Sequence, residues 1–518
     1  MTENQYDTII IGSGLGGLLC GYILCREGMR VCIIEKNIKP GGALQTFRRK
    51  GIGFDSGIHY LGGLDEGQIL HRYFNYFGLI GKLRLSRMNK DRFDVIAFDD
   101  AEYPMAQGFD NFVEQLLPYF PDETGSLQSY IDTLETISRS FSLYNLEIPK
   151  GNHKEETFRH QSAYNYYHSL SKQQSAVGSR QSTSILHSPS SILYPQESLS
   201  SVLAGNNFLY AGNKDKTPLH IPALINHSFI SSAWKTIDGG QQIADLLIKS
   251  ILSFGGVVRT NCEMTGIFQT GTGFSINTKS NEQLSCNRLI SGIHPARTLE
   301  MMDPSLFRKA YSSRIRNLAN TTGSFALYIV LKENTFKYLD FNYYYHRTKD
   351  VWYEPERGQW PVGYMLYTPA YEETSNFAKS LVIMTYMDFH EVIKWENSFT
   401  GKRDAGYYEF KEEKANQLIS LAEKQFPGLR SKIAFTETST PLTWRDYTGT
   451  PGGSMYGIQK DYHDPSGTSV VPKTKIPGLL FTGQNVNLHG ALGVTIGAVM
   501  TCSEILGYEY IIKKIRNG

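Results

Sequence analysis

The sequence predicts an α/β fold whose core is a parallel sheet, and three neighbouring features predict it. An isoleucine-rich strand pattern at residues 6–11 is followed at once by the glycine turn GSGLGG at residues 12–17. A helical pattern then runs over residues 15–26, and a second apolar strand, residues 31–34, leads to an acidic residue, Glu35. This order forms a βαβ unit of the dinucleotide-binding type, with its two strands parallel.

The residues of the glycine turn have distinct predicted roles. Gly12 allows the tight turn, Gly14 lets the backbone approach a pyrophosphate, and Gly17 lets the helix pack closely on the strand. Ser13 lies in the same turn, where the helix N-terminus faces the phosphates with unpaired N–H groups and the positive end of its dipole. Glu35 is placed to accept hydrogen bonds from ribose hydroxyls, and its carboxylate argues against a 2′-phosphate.

The glycine pattern alone is a weak signal, and a glycine-rich apolar helix start is the structural alternative. The uncharged run over residues 8–25 also resembles a membrane span or a signal peptide. It has no basic segment before it and contains five glycines, so we reject both readings.

Past Glu35 the chain continues with Lys36, the segment Gly41-Gly42-Ala43 and the stretch GFDSGIH at residues 53–59. This region resembles the second FAD-contacting segment of the flavoenzyme family that contains phytoene desaturases, carotenoid isomerases and retinol saturases. The resemblance implies that these residues contact FAD. A glycine pair suits a backbone that runs directly against a cofactor.

Three later segments resemble the same family. Residues 234–267 contain a glycine pair, a helix pattern and Met264, where the family has valine and contacts the adenine through the main chain. Residues 440–457 give a third match. Residues 477–498 give the strongest match, with Gly483 and Gln484 in a turn and Gly493 and Val494 in a small-residue helix. Most of the superfamily has Gly-Asp in this turn, whereas retinol saturases are similar to this chain in having Gly-Gln.

The resemblance implies a glutathione-reductase-like FAD domain interleaved with an α+β substrate domain. Two domains also suit a chain of 518 residues. We predict the FAD domain from residues 1–80, 221–300 and 470–518, and the substrate domain from residues 81–220 and 301–469. A stretch rich in serine, glutamine and tyrosine, residues 160–201, is predicted to form helices joined by polar turns.

A bound flavin carries out hydride transfer itself, so the protein must position the substrate and tune the ring. We expect the N-terminus of the helix that begins near Gly490 to stabilise the anionic reduced form of the flavin. Asn487 and His489 either contact the cofactor or cap this helix. The resemblance places His59 and Tyr60 beside the flavin ring. His59 is therefore the candidate general acid, and a purely structural histidine is the alternative.

Composition excludes several other classes of protein. The chain has 52 basic and 50 acidic residues, so its charge does not indicate nucleic-acid binding. Its six cysteines have no CxxC or metal-ligand spacing, so we expect no metal and read them as buried thiols in a reducing compartment. No second dinucleotide fingerprint is visible. The electron partner therefore stays open between a quinone, oxygen, a carrier protein and loosely bound NAD(P)H.

The resemblance implies an FAD-dependent oxidoreductase acting on C–C or C=C bonds of a hydrophobic polyene, by saturation, desaturation or isomerisation. Aromatic segments at residues 341–346 and 364–367 either line a tunnel for such a substrate or pack in a core. A flavin amine oxidase and a non-catalytic lipid-binding escort protein of the same fold are the alternatives. We expect a cytoplasmic protein, and the basic, amphipathic segment 508–516 suits either membrane contact or an ordinary surface helix.

Overall fold

The computed structural model describes residues 4–149, 151, 153–170, 198–271, 273–352, 360–372 and 376–518. The described ends of the polar stretch 160–201, predicted to contain helices, are helical over Ala163–Leu170 and Leu199–Leu203. Residues 171–197 of that stretch lie outside the described residues.

The described strands share four sheets. In chain order they are β1 (Gln5–Ile11), β2 (Val31–Ile34), β3 (Thr46–Arg49), β4 (Ile52–Asp55), β5 (Leu61–Gly62), β6 (Leu85–Arg87), β7 (Asp94–Ala97), β8 (Glu102–Met105), β9 (Ala233–Thr236), β10 (Val257–Arg259), β11 (Met264–Gln269), β12 (Phe274–Thr278), β13 (Gln283–Ser291), β14 (Gly323–Leu331), β15 (Asn342–His346), β16 (Gly363–Tyr367), β17 (Ser380–Met387), β18 (Ile433–Ser439) and β19 (Leu479–Phe481).

Most of the described helices are short and lie between these strands. In chain order they are α1 (Leu15–Arg26), α2 (Ile69–Tyr76), α3 (Phe109–Leu116), α4 (Thr124–Ser140), α5 (His153–Arg159), α6 (Ala163–Leu170), α7 (Leu199–Leu203), α8 (His220–Ser231), α9 (Gln241–Ser253), α10 (Pro295–Glu300), α11 (Lys309–Arg316), α12 (Ala405–Gln425), α13 (Leu429–Lys432), α14 (Pro441–Thr448), α15 (Pro465–Thr468), α16 (Gly490–Leu506) and α17 (Tyr508–Asn517). Single 3-10 turns cover Gly42–Leu44, Ser142–Asn145, Asn207–Leu209, Pro304–Leu306, Phe389–Trp395 and Pro451–Gly453.

The first sheet has the order β10-β2-β1-β13-β12-β11, and β19 also pairs with β13. The β10–β2, β2–β1, β1–β13 and β13–β19 pairs are parallel, whereas β11, β12 and β13 are antiparallel. The βαβ unit predicted from the sequence is therefore present. Because β1, β2, β13 and β19 are parallel and adjacent, their carboxyl ends meet at one edge of the sheet, where ligands bind in open α/β folds.

The second sheet has the order β18-β14-β17-β16-β15-β7-β8 and is antiparallel except for the β7–β15 pair. Its two faces belong to two separate apolar clusters: Tyr344 and Met365 belong to one, and Tyr343 and Leu366 to the other. The aromatic segments of β15 and β16 are thus buried on both faces of a sheet. The fold combines a mainly parallel sheet with a mainly antiparallel one, as predicted.

The strands of the first sheet come from three stretches of chain, residues 5–34, 257–291 and 479–481. The second sheet takes its strands from residues 94–105 and 323–439. Chain segments therefore alternate between the two sheets. The numbered domain boundaries given above stay predictions.

Helix α1 explains why the N-terminal run is uncharged. Its residues 15–25 are all buried, and it packs against α9 and α16. A helix enclosed on all sides is apolar all round. In the part of the chain that the structure describes, every helix is too short or too polar to cross a bilayer.

Candidate cofactor and substrate site

The turn between β1 and α1 is held by backbone packing that only glycine permits. A Cβ on Gly17 would stand 2.1 Å from the carbonyl oxygen of Gly12, far inside van der Waals contact. At Gly14, the N-cap of α1, no described atom lies within 4 Å of an added Cβ, and no side chain caps the helix. The N-terminus of α1 therefore opens onto free space, as an anion site requires.

Glu35 lies directly after β2 and is buried. One carboxylate oxygen accepts hydrogen bonds from the Ser13 main-chain N–H at 3.0 Å and the Ser13 hydroxyl at 2.6 Å. The other accepts from the Asn37 N–H at 2.9 Å. A carboxylate offers about four lone-pair positions. Glu35 thus orders the glycine turn and keeps acceptor capacity for a ribose hydroxyl.

The Gly41-Gly42 segment lies against the same turn. Gly41 forms a bridge with Gly14, and its N–H donates to the Ser13 hydroxyl at 3.2 Å. Ala43 follows and lines the main cavity. Lys36 points elsewhere, because its Nζ donates to the main-chain carbonyl of Asp446 at 2.8 Å.

The segment before β11 runs beside Glu35. The Cys262 N–H donates to the Glu35 carbonyl at 2.8 Å, and the Asn261 N–H donates to the Asn37 carbonyl at 3.1 Å. Met264 is buried two residues further on. Met264, the first residue of β11, is therefore two residues from a segment that is hydrogen-bonded to the residues after β2.

Gly483 joins the C-terminal segment to the N-terminal turn. A Cβ on Gly16 would stand 2.8 Å from Gly483 Cα, so α1 and the Gly483 turn are in direct backbone contact. The sequence analysis missed Gly16. The available signal was the extra glycine before Gly17, which the dinucleotide pattern does not require.

The N-terminus of α16 faces the cavity. His489 is its N-cap but makes no capping hydrogen bond with its side chain. Its Nε2 donates to the Leu209 carbonyl at 3.1 Å, and its ring stacks on Tyr456 at 4.2 Å. Burial lowers the pKa of His489 to about 4, so the ring is neutral at physiological pH. Capping by His489 is therefore absent, and the helix end stays open to the cavity.

We expect the Gly493→Ala variant to weaken FAD binding and shift the flavin absorption spectrum. An added Cβ would stand 2.6 Å from Leu488 Cβ and 2.7 Å from its main-chain carbon, so the turn before α16 must move. Gly497→Ala, four residues along the same helix, is the control, because its Cβ would meet its nearest atoms at 3.7 Å. Equal FAD affinity and equal spectra in the two variants would contradict this role of Gly493.

One cavity of about 360 Å³ adjoins the first residue of α1, the segment that follows Gly42 and the N-terminal half of α16. Gly57, His59, Gln484, Gly493 and Val494 contribute to its wall. The remaining lining is largely leucine, isoleucine, methionine and aromatic side chains. It includes residues 141–144, 224–225, 228–229, 455–456 and 487–492. Most of the predicted ring-contacting residues therefore share one mainly apolar space, whereas Gly483, Glu35 and Met264 do not line it.

His59 is a neutral base in this wall. Burial lowers its pKa to about 4. Its Nδ1 is shielded and has no hydrogen-bond partner among the described residues, and its ring lies 4.5 Å from that of Tyr367. A group that titrates so low is uncharged near pH 7 and is a poor general acid. The unpaired Nδ1 at the cavity wall fits a polar group of a bound molecule.

Tyr60 turns its hydroxyl away from the cavity into a buried polar network. That hydroxyl donates to Asp94 Oδ2 at 2.9 Å and lies 2.9 Å from the Tyr344 hydroxyl. Asn342 donates to the other Asp94 oxygen at 3.0 Å. Burial, with Asp94 and Tyr344 nearby, raises the pKa of Tyr60 well above its usual value. The network fixes the Tyr60 ring, which stacks on Phe229 at 4.1 Å.

The stability of the Asp94→Asn variant relative to wild type should increase as pH rises. Burial raises the pKa of Asp94 to about 7, so the native state holds a proton that the unfolded state releases above about pH 4. This favours the native state at low pH, and the advantage is lost as pH rises to 7. Asparagine removes the dependence, which gives the variant roughly 2–4 kcal/mol more relative stability at pH 8 than at pH 4. Denaturant unfolding at both pH values measures this, and a pH-independent difference would contradict it.

Three of these features fit FAD: the open N-terminus of α1, the glycine-lined contact with Gly483, and the unpaired His59 Nδ1 in the cavity wall. Among the described residues, no cluster of histidine, cysteine or acidic side chains could hold a metal. The fold and site thus define a dinucleotide-dependent flavoprotein with an apolar substrate cavity.

Comparison with known proteins identifies the family. Residues 15–502 match the model of the flavin-containing amine oxidoreductases, and the chain belongs to that family. It is therefore an FAD-dependent oxidoreductase. The resemblance to the retinol saturase and carotenoid isomerase side of the family is confirmed by the relatives that follow.

The all-trans-retinol 13,14-reductase of Macaca fascicularis is 25% identical over 544 residues, covering 97% of this chain and 86% of that protein. The chloroplastic prolycopene isomerase of Daucus carota is 22% identical over 526 residues, covering 98% and 81%. The solved structure of putrescine oxidase bound to putrescine has a TM-score of 0.61 at 13% identity, covering 97% of this chain and 99% of that one. The last similarity shows the fold alone.

Proposed function

We propose that this flavoenzyme acts on a C–C or C=C bond of a hydrophobic polyene of the retinoid or carotenoid type, by saturation, desaturation or isomerisation. The observation that carries the proposal is the mainly apolar cavity against the Gly483 and Gly493 segments. Its volume lies within the range of about 300–1,000 Å³ typical of small-molecule sites. The relatives named for retinol and prolycopene support the same class of substrate.

We assign the cofactor contacts as predicted from the sequence. Gly12, Ser13, Gly14, Gly17 and Glu35 would surround the adenosine and pyrophosphate, where the open end of α1 favours an anion. The main chain at Gly41, Gly42, Ala43 and Met264 would complete that half, although the side chain of Lys36 points away from it. Residues 483, 484, 493 and 494 would lie against the flavin ring. Bound FAD supplies hydride transfer.

The roles of His59 and Tyr60 follow from their surroundings. Neutral His59 would hold a polar atom of flavin or substrate through its unpaired Nδ1. Tyr60, fixed by Asp94 and Tyr344, would present its ring to the substrate. Because its pKa is about 4, His59 is neutral near pH 7. If His59 donates a proton, the donor is therefore the N–H of a neutral imidazole and not an imidazolium.

A flavin amine oxidase is the alternative function, since putrescine oxidase shares the fold. A cationic amine needs an anionic or aromatic partner. Glu155 is the one carboxylate among the described residues that line the cavity, and it is already paired with Arg159. A non-catalytic escort protein would not need the complete set of cofactor contacts described above.

We further propose a cytoplasmic protein that touches membranes peripherally. All six cysteines are free and buried, as suits a reducing compartment. Helix α17 packs Ile511, Ile512 and Ile515 into the core, so a membrane contact of this helix would rest on its basic side chains Lys513 and Arg516. Sedimentation of the protein with vesicles that contain or lack anionic lipid tests this proposal. Protein that stays in the supernatant with both kinds of vesicle would contradict the membrane contact.

The experiment that tests the proposed function compares substrate classes under turnover. Purified holoprotein is incubated with all-trans-retinol, prolycopene or a panel of primary amines, with NADPH or a reduced quinone as donor and oxygen as acceptor. We expect chromatography to detect a new polyene product, and no peroxide or aldehyde from the amines. Amine-dependent peroxide with unchanged polyenes would establish the oxidase instead.

A further inference from the structure

The cavity wall contains one feature that a purely hydrocarbon ligand does not explain. Glu155 and Arg159, on α5, are the only oppositely charged pair among the described residues that line it. Arg159 donates to Glu155 at 2.6 Å, and only about a quarter of each side chain is exposed. The Arg159 guanidinium also lies over the ring of Phe141, 5.2 Å from its centroid, and Phe141 lines the same cavity.

Helix α5 packs on α4, yet none of its residues is fully buried. A second pair, Glu156 of α5 with His160 just after the helix, faces solvent, with about half of each side chain exposed. The two pairs have the same spacing, so i,i+4 stabilisation does not require either one to face the cavity. What distinguishes Glu155 and Arg159 is their position in the wall.

A ligand that fills the cavity beside this pair displaces water from two charged groups. If that part of the ligand is hydrocarbon, the desolvation of Glu155 and Arg159 is not compensated. If it ends in a hydroxyl, the oxygen accepts from an Arg159 N–H and the proton is donated to Glu155. Arg159 has five N–H donors and Glu155 about four acceptor positions, so the ion pair can stay intact. A carboxylate would meet Arg159 favourably but would be repelled by Glu155.

We propose that Glu155 and Arg159 form a specificity subsite that binds a neutral hydroxyl at one end of the polyene, and this inference rests on the proposed function. The subsite selects alcohols over hydrocarbons and over carboxylates. Its role is to position the substrate in the cavity, and it takes no part in the redox chemistry.

The test uses three probes that differ only at one terminus: all-trans-retinol, all-trans-retinoic acid, and the hydrocarbon in which the terminal CH₂OH is CH₃. Affinity for the FAD-loaded protein is measured by quenching of tryptophan fluorescence, for which Trp444 in the cavity wall is a reporter. We expect the alcohol to bind about tenfold or more tightly than the hydrocarbon, and Arg159→Met to remove most of that difference. Hydrocarbon affinity should stay nearly the same.

Arg139→Met is the matched control, because Arg139 pairs with Glu135 at the same spacing on α4 but is 73% exposed. Glu155→Gln provides a second test if Arg159→Met fails to fold: it should weaken alcohol binding and strengthen acid binding. Equal affinity of wild type for alcohol and hydrocarbon, tighter binding of the acid than of the alcohol, or equal effects of Arg139→Met and Arg159→Met would each overturn the subsite. Failure of all three probes to bind would instead contradict the proposed function.

Discussion

Replacing Gly17 with alanine is expected to abolish FAD binding and to lower the free energy of unfolding by roughly 1–3 kcal/mol. The alanine Cβ would stand 2.1 Å from the Gly12 carbonyl oxygen and 3.3 Å from Ile10 Cγ2. The Gly12 carbonyl group is main chain and cannot move away without separating α1 from β1. Because the open N-terminus of α1 is the predicted pyrophosphate site, the displacement removes the anion site as well.

The matched control is Gly125→Ala near the start of α4. No described atom lies within 4 Å of a Cβ at that position, so the change should be neutral or stabilise by up to about 1 kcal/mol. Denaturant unfolding and FAD titration of both variants measure the contrast. Native-like FAD affinity in Gly17→Ala would show that this turn is not the phosphate site.

The second large effect is expected from Glu35→Ala, which should weaken FAD binding by about 1.5–3 kcal/mol. The substitution removes a buried acceptor of three hydrogen bonds and the proposed ribose contact together. Quenching of free FAD fluorescence on binding to the apoprotein measures the affinity.

Ser13→Ala separates these two contributions. It deletes the hydroxyl hydrogen bond to Glu35 and the acceptor of the Gly41 N–H, and it leaves the carboxylate in place. We expect a smaller loss of FAD affinity than in Glu35→Ala, with a comparable loss of stability. Unchanged FAD affinity in Glu35→Ala would exclude Glu35 as the ribose acceptor.

Residue patterns predicted the local parts of this site, the family resemblance supplied the distant segments around Met264 and Gly483, and the contact between two of these segments was missed. The βαβ unit and Glu35 follow from a pattern within 35 residues, where strand, turn and helix signals act on neighbouring positions. The contact of Gly16 with Gly483 joins opposite ends of the chain. Spacing along a sequence carries no information about such a contact.

For the same reason, the surroundings of Tyr60, of the Glu155–Arg159 pair and of His59 could not be predicted from the sequence. Tyr60 was placed near the cofactor by its neighbours in sequence, but its hydroxyl is held by Asp94 and Tyr344 from the second sheet. The i,i+4 spacing of Glu155 and Arg159 was visible, but its orientation toward the cavity depends on how α5 packs on α4. Burial and its effects on pKa, as at His59, need the folded chain.

The proposed function requires that this flavoprotein saturates, desaturates or isomerises a polyene held in its apolar cavity. The most direct measurement mixes the holoprotein with one equivalent of all-trans-retinol or prolycopene without oxygen, once with oxidised and once with reduced FAD, and records the polyene absorption spectrum. The account predicts a change in conjugated length or double-bond geometry in at least one redox state, and none with FAD-free protein. Polyene spectra that stay unchanged in both states, while a primary amine bleaches the flavin, would contradict it.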